Sequence, residues 1–287
     1  MNHVGFNITE KKLQLVEVVK SSDTYYLENV DEENFSDDLN FQSNSFINIL
    51  QTAFNTLNER SPLKSRLTSI SLPIELFRIF SFPYEKELSE GELKEHIELE
   101  FSIVFPTFSF QDYLVRPKII SKGIYSYSEI LVIAIEKKLL QILHDFLSTN
   151  NLSLHFIDNV HFSSDLLLGK KSTVNLYKGS DFISCSIYIN NDLIGFRKFN
   201  ASSTTKLIEY LRELNLRDDL GLNDFNISGD TDFYSLKQEI EDSLQLELNT
   251  IDPFNRIKAS ELFTQTDQFI NNPSLFSSAA GICFRVS

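Results

Sequence analysis

Two imidazoles and a carboxylate, His155, Asp158 and His161, fall within one seven-residue stretch and are residue types that ligate zinc. Their spacing argues against that chemistry, because residues six apart do not share one face of a helix. Asp158 reads instead as the cap of a helix that follows it. Glu98 and Glu100 are close in sequence, but i and i+2 on a helix point apart, so they read as solvated rather than as an acid–base pair. A serine nucleophile has no Gly-x-Ser-x-Gly elbow to sit in. Cys185 and Cys283 stand singly in apolar runs, without disulfide or metal spacing, and read as buried core thiols.

Charge removes further classes. The chain has 287 residues with 40 acidic against 26 basic side chains, a net charge of −14. Such a chain is repelled at long range by nucleic acid and by anionic membrane surfaces, and no Lys/Arg cluster tracks phosphates. No run approaches the roughly 18 apolar residues of a membrane span. The opening Asn2-His3-Val4-Gly5-Phe6-Asn7 lacks the basic start and apolar core of a signal peptide. The expectation is a cytoplasmic protein in a reducing compartment, without direct membrane insertion.

The elements that must position any site follow from periodicity. Val4, Phe6 and Ile8, then Leu13 to Val18 after the polar turn Thr9–Lys12, predict a hairpin with one strand buried on both faces. A third strand is expected around Tyr25–Leu27, and Asp31–Asp38 reads as a solvated loop. Phe46, Ile49, Leu50, Ala53, Phe54 and Leu57 fall on one helical face, with Ser43 or Ser45 as cap. A strand ends at Pro73. Residues 74–82 read as a strand, Ser89 and Glu92 as a capping box opening a helix that stops before Pro106, and residues 111–117 and 129–135 as two more strands. Residues 137–147 are amphipathic. The opening pattern then restarts: strands at 173–177, 182–189 and 193–199, with Asn190-Asn191-Asp192 as a hairpin turn, and a helix at 204–214. A strand at 225–227, a turn at Ser228-Gly229, a helix bearing Phe233 to Leu244 and a final short helix within 275–284 complete the chain. A strand-hairpin-helix module thus occurs twice, which predicts layered α/β structure with mixed sheets.

At this point the residues resemble a known superfamily. Actin-like ATPases open each lobe with such a hairpin, and their phosphate turns are comparable to Val4-Gly5-Phe6-Asn7-Ile8-Thr9-Glu10, Val174-Asn175-Leu176-Tyr177 and Ile227-Ser228-Gly229-Asp230. Within it, the chain most resembles the type IV pilus assembly family PilM, a relative of FtsA. That comparison rests on Ile103-Val104-Phe105-Pro106, Phe156-Ile157-Asp158-Asn159-Val160, Asp252-Pro253-Phe254 and Gly281-Ile282-Cys283-Phe284-Arg285, which fall in the family's order. The resemblance implies a duplicated, ribonuclease H-like fold. A first lobe would span 1–73 and 137–170, an inserted α+β subdomain 74–136, and a second lobe 171–287, with a helix at 203–215 as its reduced upper part.

The same resemblance implies that the nucleotide loops are degenerate. Asn7 and Asn175 stand where carboxylates hold Mg²⁺ through its waters; Thr9, Tyr177 and Asp230 stand where glycines bring backbone N–H groups to phosphates, beside Ser228 and Gly229. Tyr177 would fill phosphate space, and Asp230 would set a negative charge beside the nucleotide. The expectation is a non-catalytic scaffold without ATP or Mg²⁺. Its implied partner is the short cytoplasmic tail of an inner-membrane protein, held in a groove near residues 74–82, 93–105 and 137–147; a homo-oligomer is compatible with this. The alternatives are an actin-like ATPase that binds Mg-ATP through substituted loops, or an actin-like protein unrelated to pili.

Overall fold

The computed structural model describes residues 2–22, 24–43, 45–84, 88–120, 124, 127–168, 172–222, 224–230, 233–258 and 272–286. Strands β1 (Asn2–Ile8), β2 (Lys12–Ser21), β3 (Thr24–Asn34), β4 (Leu67–Leu72) and β8 (Ser153–Asn159) make one sheet, ordered β3-β2-β1-β4-β8. Strands β9 (Thr173–Lys178), β10 (Phe182–Ile189), β11 (Asp192–Asn200), β12 (Asp224–Gly229) and β13 (Asn249–Thr250) make a second, ordered β11-β10-β9-β12-β13. The two orders are the same. In each, two antiparallel hairpin strands lead into parallel pairs, β1 with β4 and β4 with β8, then β9 with β12 and β12 with β13. The second half returns a short strand, β14 (Ile257–Lys258), to the outer edge of the first sheet beside β3.

Helix α1 (Phe46–Arg60) buries Phe46, Leu50, Ala53, Phe54 and Leu57 against the first sheet, as its 3.6-residue period dictates. Each such large side chain contributes about 1.5–3 kcal/mol on burial. Its N-terminus is not capped by a side chain: Ser43 and Ser45 bond to each other through their hydroxyls at 2.7 Å instead. Helix α3 (Lys137–Thr149) packs on the same core through Leu139, Leu143, Phe146 and Leu147. Asn190 and Asn191 both have positive φ, 51° and 77°, the conformation of a two-residue hairpin turn between β10 and β11.

Between β4 and β8 the chain builds a third sheet, β5-β7-β6, from β5 (Phe77–Pro83), β6 (Tyr113–Ile120) and β7 (Glu129–Glu136), with α2 (Glu90–Val104) on one face. The capping box is formed: Glu92 N–H donates to Ser89 Oγ, and Ser89 N–H donates to Glu92 Oε2 at 2.9 Å. The side chains of β7 alternate. Ile130, Val132 and Ala134 face α2, whereas Leu131, Ile133 and Ile135 face the two large sheets.

Other expectations need correction. Asp31–Asn34 is not loop but the end of β3: Asp31 and Glu33 accept hydrogen bonds from Arg60, and Glu32 pairs with Lys12 at 2.9 Å, so the acidic run is neutralised within the sheet. Strand β8 was unforeseen because its apolar residues do not alternate cleanly. Ser228 and Gly229 end β12 rather than forming a turn. Asp158 does not cap α4 (Val160–Asp165); Asn159 does, its Oδ1 accepting from Phe162 N–H at 3.0 Å. The boundary expected between residues 170 and 171 lies outside the described residues.

Two short helices cross between the lobes. Helix α4 leads from β8 towards β9, and α7 (Ser277–Ile282) packs on α4, β1, β2 and β4. Every residue of α7 is buried, and Ser278, Ala279, Ala280 and Gly281 are small because backbone lies close on several sides. A Cβ on Gly281 would stand 1.9 Å from Ser163 O, and one on Gly5 2.0 Å from Ala279 O. Backbone carbonyls cannot yield as a side-chain tip can. We therefore expect Gly281→Ala and Gly5→Ala each to lower the chemical denaturation midpoint strongly, costing on the order of 3 kcal/mol or more. Gly91→Ala is the control: nothing lies within 4 Å of its Cβ in the first turn of α2, so the change should be neutral or stabilise by about 0.5–1 kcal/mol.

Candidate functional site

The β1–β2 turn, the β9–β10 turn and the end of β12 converge on a cleft of about 280 Å³, lined by Thr9, Lys12, Glu75, Phe182 and Asp230 among others. Of the seven residues singled out in the three loops, Thr9 and Asp230 reach it. Thr9 folds back on its own turn. Its Oγ1 accepts from Lys11 N–H at 3.2 Å and Lys12 N–H at 3.0 Å, so two turn N–H groups already have partners within the protein. At the second turn, Gly179 N–H donates to Phe182 O at 3.0 Å.

The other residues serve packing. Asn7 is fully buried and donates to Gln14 Oε1 at 2.9 Å; Gln14 donates on to Glu32, which also holds Lys12. Asn175 lies on the opposite side, accepting from Thr173 Oγ1 at 2.8 Å and from Asn226 at 3.3 Å. Tyr177 is 1% exposed, stacked on Phe182 and packed with Ile74 and Val160. Its hydroxyl lies 3.2 Å from Ser278 Oγ, whose one hydrogen goes to Val160 O at 2.9 Å, and burial drives its pKa well up. Ser228 Oγ donates to Ser164 Oγ at 3.2 Å. Gly229 is required by β9, since its Cβ would stand 2.4 Å from Lys178 O.

The cleft is lined by three carboxylates, Glu10, Glu75 and Asp230, against the two ammonium groups of Lys11 and Lys12. Burial pushes Asp230 up to about 6, helped by the negative charge of Glu75 and opposed by Lys12 and Lys178. Burial likewise raises Glu75, whose Oε1 is 3.8 Å from Lys198 Nζ. Oδ1 of Asp230 has no hydrogen-bond partner among the described residues. Glu75 went unnoticed in the sequence; its only signal is its place just after Pro73, where β4 ends. His155 and His161 do not converge. His155 sits against His3 and Phe156, whereas His161 bonds the hydroxyls of Ser184 and Ser186. Among the described residues no three His, Cys, Asp or Glu side chains are placed to hold a metal.

A larger feature lies elsewhere. A groove of about 890 Å³ runs between the small sheet and the first lobe, with Leu114 and Arg116 of β6, Leu140 and His144 of α3, and Leu154 and Phe156 of β8 along it. Strand β8 is the edge of its sheet and β6 the edge of the small one, so two strand edges border this space. Helix α2 does not line it. Residues 93–105 occupy the far face of the small sheet, because Ile97 and Phe101 pack on the even-numbered residues of β7.

No protein-family model matches the chain, and no curated protein sequence matches it. Solved structures do match its backbone. A chain of the PilM–PilN type IV pilus biogenesis complex superposes with a TM-score of 0.73 at 14% identity, over 99% of this chain and 98% of that one. EutJ, an ethanolamine utilization protein from Carboxydothermus hydrogenoformans, gives 0.54 at 8% identity over 99% and 89%. A Bacteroides thetaiotaomicron protein with an actin-like ATPase fold and unknown function gives 0.50 at 14% identity over 98% and 95%. The chain has an actin-like fold. Its two sheets of like strand order are the duplicated halves of that fold, and the β5-β7-β6 sheet is inserted in the first.

The buried carboxylate in the cleft has a measurable consequence. Because the folded-state pKa of Asp230 is about 6 against an ordinary 3.8, its ionisation opposes folding increasingly as pH rises from about 4 to 6. Asp230→Asn should stabilise the protein by up to about 3 kcal/mol at pH 7, and by little near pH 4. Denaturant unfolding at the two pH values checks this; an equal effect at both would refute it.

Proposed function

We propose that this chain is a non-catalytic actin-like scaffold of a pilus or secretion assembly, which holds a short cytoplasmic segment of an inner-membrane protein in the groove between β6 and β8. The single observation that carries the reading is the groove itself, bordered by two strand edges and set beside a nucleotide cleft whose turn N–H groups are already engaged. The similar solved structure is a complex of PilM with PilN, which supports the pilus setting as an analogy of fold. No helix of the described residues is long and apolar enough to cross a membrane. A peripheral place at the inner membrane, reached through the partner, follows from the proposal.

The groove's chemistry defines its occupant. An extended segment alongside β8 would gain main-chain hydrogen bonds, as in strand addition, and set alternate apolar side chains against Phe77, Ile135 and Leu140. Leu114 and Phe156, 40% and 38% exposed, offer apolar surface whose loss the fold tolerates. On this reading residues 1–73 and 137–170 form the first lobe, 74–136 the inserted subdomain and 171–287 the second lobe. The insertion then supplies one wall of the groove.

The rival reading is an actin-like ATPase working through altered contacts. ATP carries about four negative charges into a cleft whose three carboxylates, Glu10, Glu75 and Asp230, outnumber its two lysines, Lys11 and Lys12, and neither Asn7 nor Asn175 reaches the cleft to serve a Mg²⁺ shell. Calorimetry with Mg-ATP should show no binding; micromolar affinity would restore the enzyme.

Leu114→Asp combined with Phe156→Asp should abolish recovery of a single-pass membrane protein from membrane extract while leaving the melting temperature within a few degrees. Equal recovery by the variant, or no membrane protein recovered by the native chain, would count against the scaffold.

A further inference from the structure

The chain carries a net charge of −14, yet the groove between β6 and β8 has the opposite sign. Its ionisable lining is Arg116, Lys137, His144, His155, Asp158 and Arg285. Asp158 is answered by Arg285, which donates to its Oδ2 through Nε at 3.0 Å and through Nη2. His144 already has Asp145 at 3.4 Å, and His155 stands edge-on to Phe156. Arg116 and Lys137 are left without a counter-ion in the groove.

Both cations are exposed and have donors to give. The Arg116 guanidinium has no hydrogen-bond or ion-pair partner among the described residues. Lys137 Nζ donates to Gln111 O at 2.7 Å, which uses one of its three N–H groups. The ionisable neighbours of Lys137, Glu136 and Lys138, line a different pocket and offset each other there.

The fold aims these cations at the same space. In the β6–β7 ladder Leu114 stands opposite Ile135 and Arg116 opposite Ile133, so all four side chains share the lobe-facing side of the small sheet. Lys137 follows directly on β7 as the first residue of α3. Burial separates a floor from a rim: Phe77 and Ile135 are buried, whereas Leu114, Arg116, Lys137 and Phe156 are exposed. Pro117 removes one N–H donor from β6, so on that wall side chains carry more of the recognition than backbone does. The nucleotide cleft shares no lining residue with the groove, and its carboxylates outnumber its lysines. An acidic ligand is therefore repelled from the cleft and drawn to the groove.

We propose that the occupant of this groove is an acidic, extended segment of a protein partner. Apolar residues at alternate positions meet the floor, and Asp or Glu at the positions between them reach Arg116 and Lys137 at the rim. This inference rests on the scaffold reading and adds to it the chemistry of the bound segment. Nucleic acid and anionic membranes fit the site less well, because its floor is apolar and the whole chain repels them at long range.

The test is fluorescence anisotropy on the full chain with three labelled octapeptides, in which leucine alternates with glutamate, with lysine or with glutamine. The glutamate peptide should bind saturably at low salt, about tenfold or more tightly than the lysine peptide, and the margin should narrow as salt rises. Arg116→Glu combined with Lys137→Glu should invert the order, so that the lysine peptide binds best. A binding preference gained in this way cannot come from a misfolded variant. Equal binding of all three peptides, unchanged in the double variant, would overturn the acidic occupant and leave the groove standing as a binding site. Tighter binding of the lysine peptide to the native chain, or no saturable binding of the glutamate peptide, would also overturn it. So would tighter binding of an oligothymidylate of equal charge. The scaffold reading fails separately, when the native chain recovers no membrane protein from extract.

Discussion

Everything in this molecule hangs on the contact between α4 and α7, where two helices cross at backbone distance. The approach is possible because Gly281 leaves room for Ser163 O, and Gly5 of β1 in turn leaves room for Ala279 O of α7. Around that contact buried serines tie the parts together. Ser71 of β4 donates to Ser163, Ser228 of β12 donates to Ser164, and Ser278 of α7 donates to Val160 O. One helix is thus fastened to both large sheets, and the other lies against the first. Apolar side chains could not do this, since each would force the backbones apart and leave helix carbonyls unpaired.

This closeness has consequences for the cleft above it. Tyr177 fills the space between Ile74, Val160 and Phe182, and its hydroxyl meets Ser278 of the crossing helix. Tyr177, at a position where the family resemblance leads one to expect glycine, is part of the packing around the crossing helices. Thr9 similarly turns its hydroxyl on the N–H groups of Lys11 and Lys12. Each side chain is satisfied within the protein, through the Lys11 and Lys12 N–H groups at Thr9 and through packing at Tyr177. Asp230 is the exception: its buried carboxylate is raised to about 6 and destabilises the fold at neutral pH.

Local signals in the sequence carried much of the fold. Helix α1 follows from spacing, the start of α2 from Ser89 and Glu92, and the β10–β11 turn from Asn190 and Asn191, because each depends on residues within a few positions of one another. Strand β8 was illegible for the opposite reason: Ser153, His155, Asp158 and Asn159 form a strand only because β4 lies beside them. The extension of β3 depends on Arg60, Lys12 and Gln14, which are distant in sequence. The altered loop residues were visible only by comparison with a family pattern. A cavity of about 370 Å³ lined by Lys118, Asp165, Tyr188 and Arg285 was invisible altogether, since these residues come from β6, α4, β10 and the C-terminal turn.

The small sheet explains why these distant residues meet. Strand β7 is its middle strand and has two apolar faces, one closed by α2 and one left for the lobes. Leu131 packs with Phe162 of α4 and Leu193 of β11, while Ile135 joins the core of the first lobe. An element inserted in one half therefore packs on both. Its polar residues, Arg116 and Lys118 on β6, are carried to opposite sides of the Asp158–Arg285 pair, one into the groove and one into the cavity. That pair is buried on its acidic side, and breaking it would strand Asp158, whose carboxyl burial already pushes up. The partition between groove and cavity is thereby made by an ion pair and an apolar side chain together, since Asp158, Arg285 and Ile133 line both spaces.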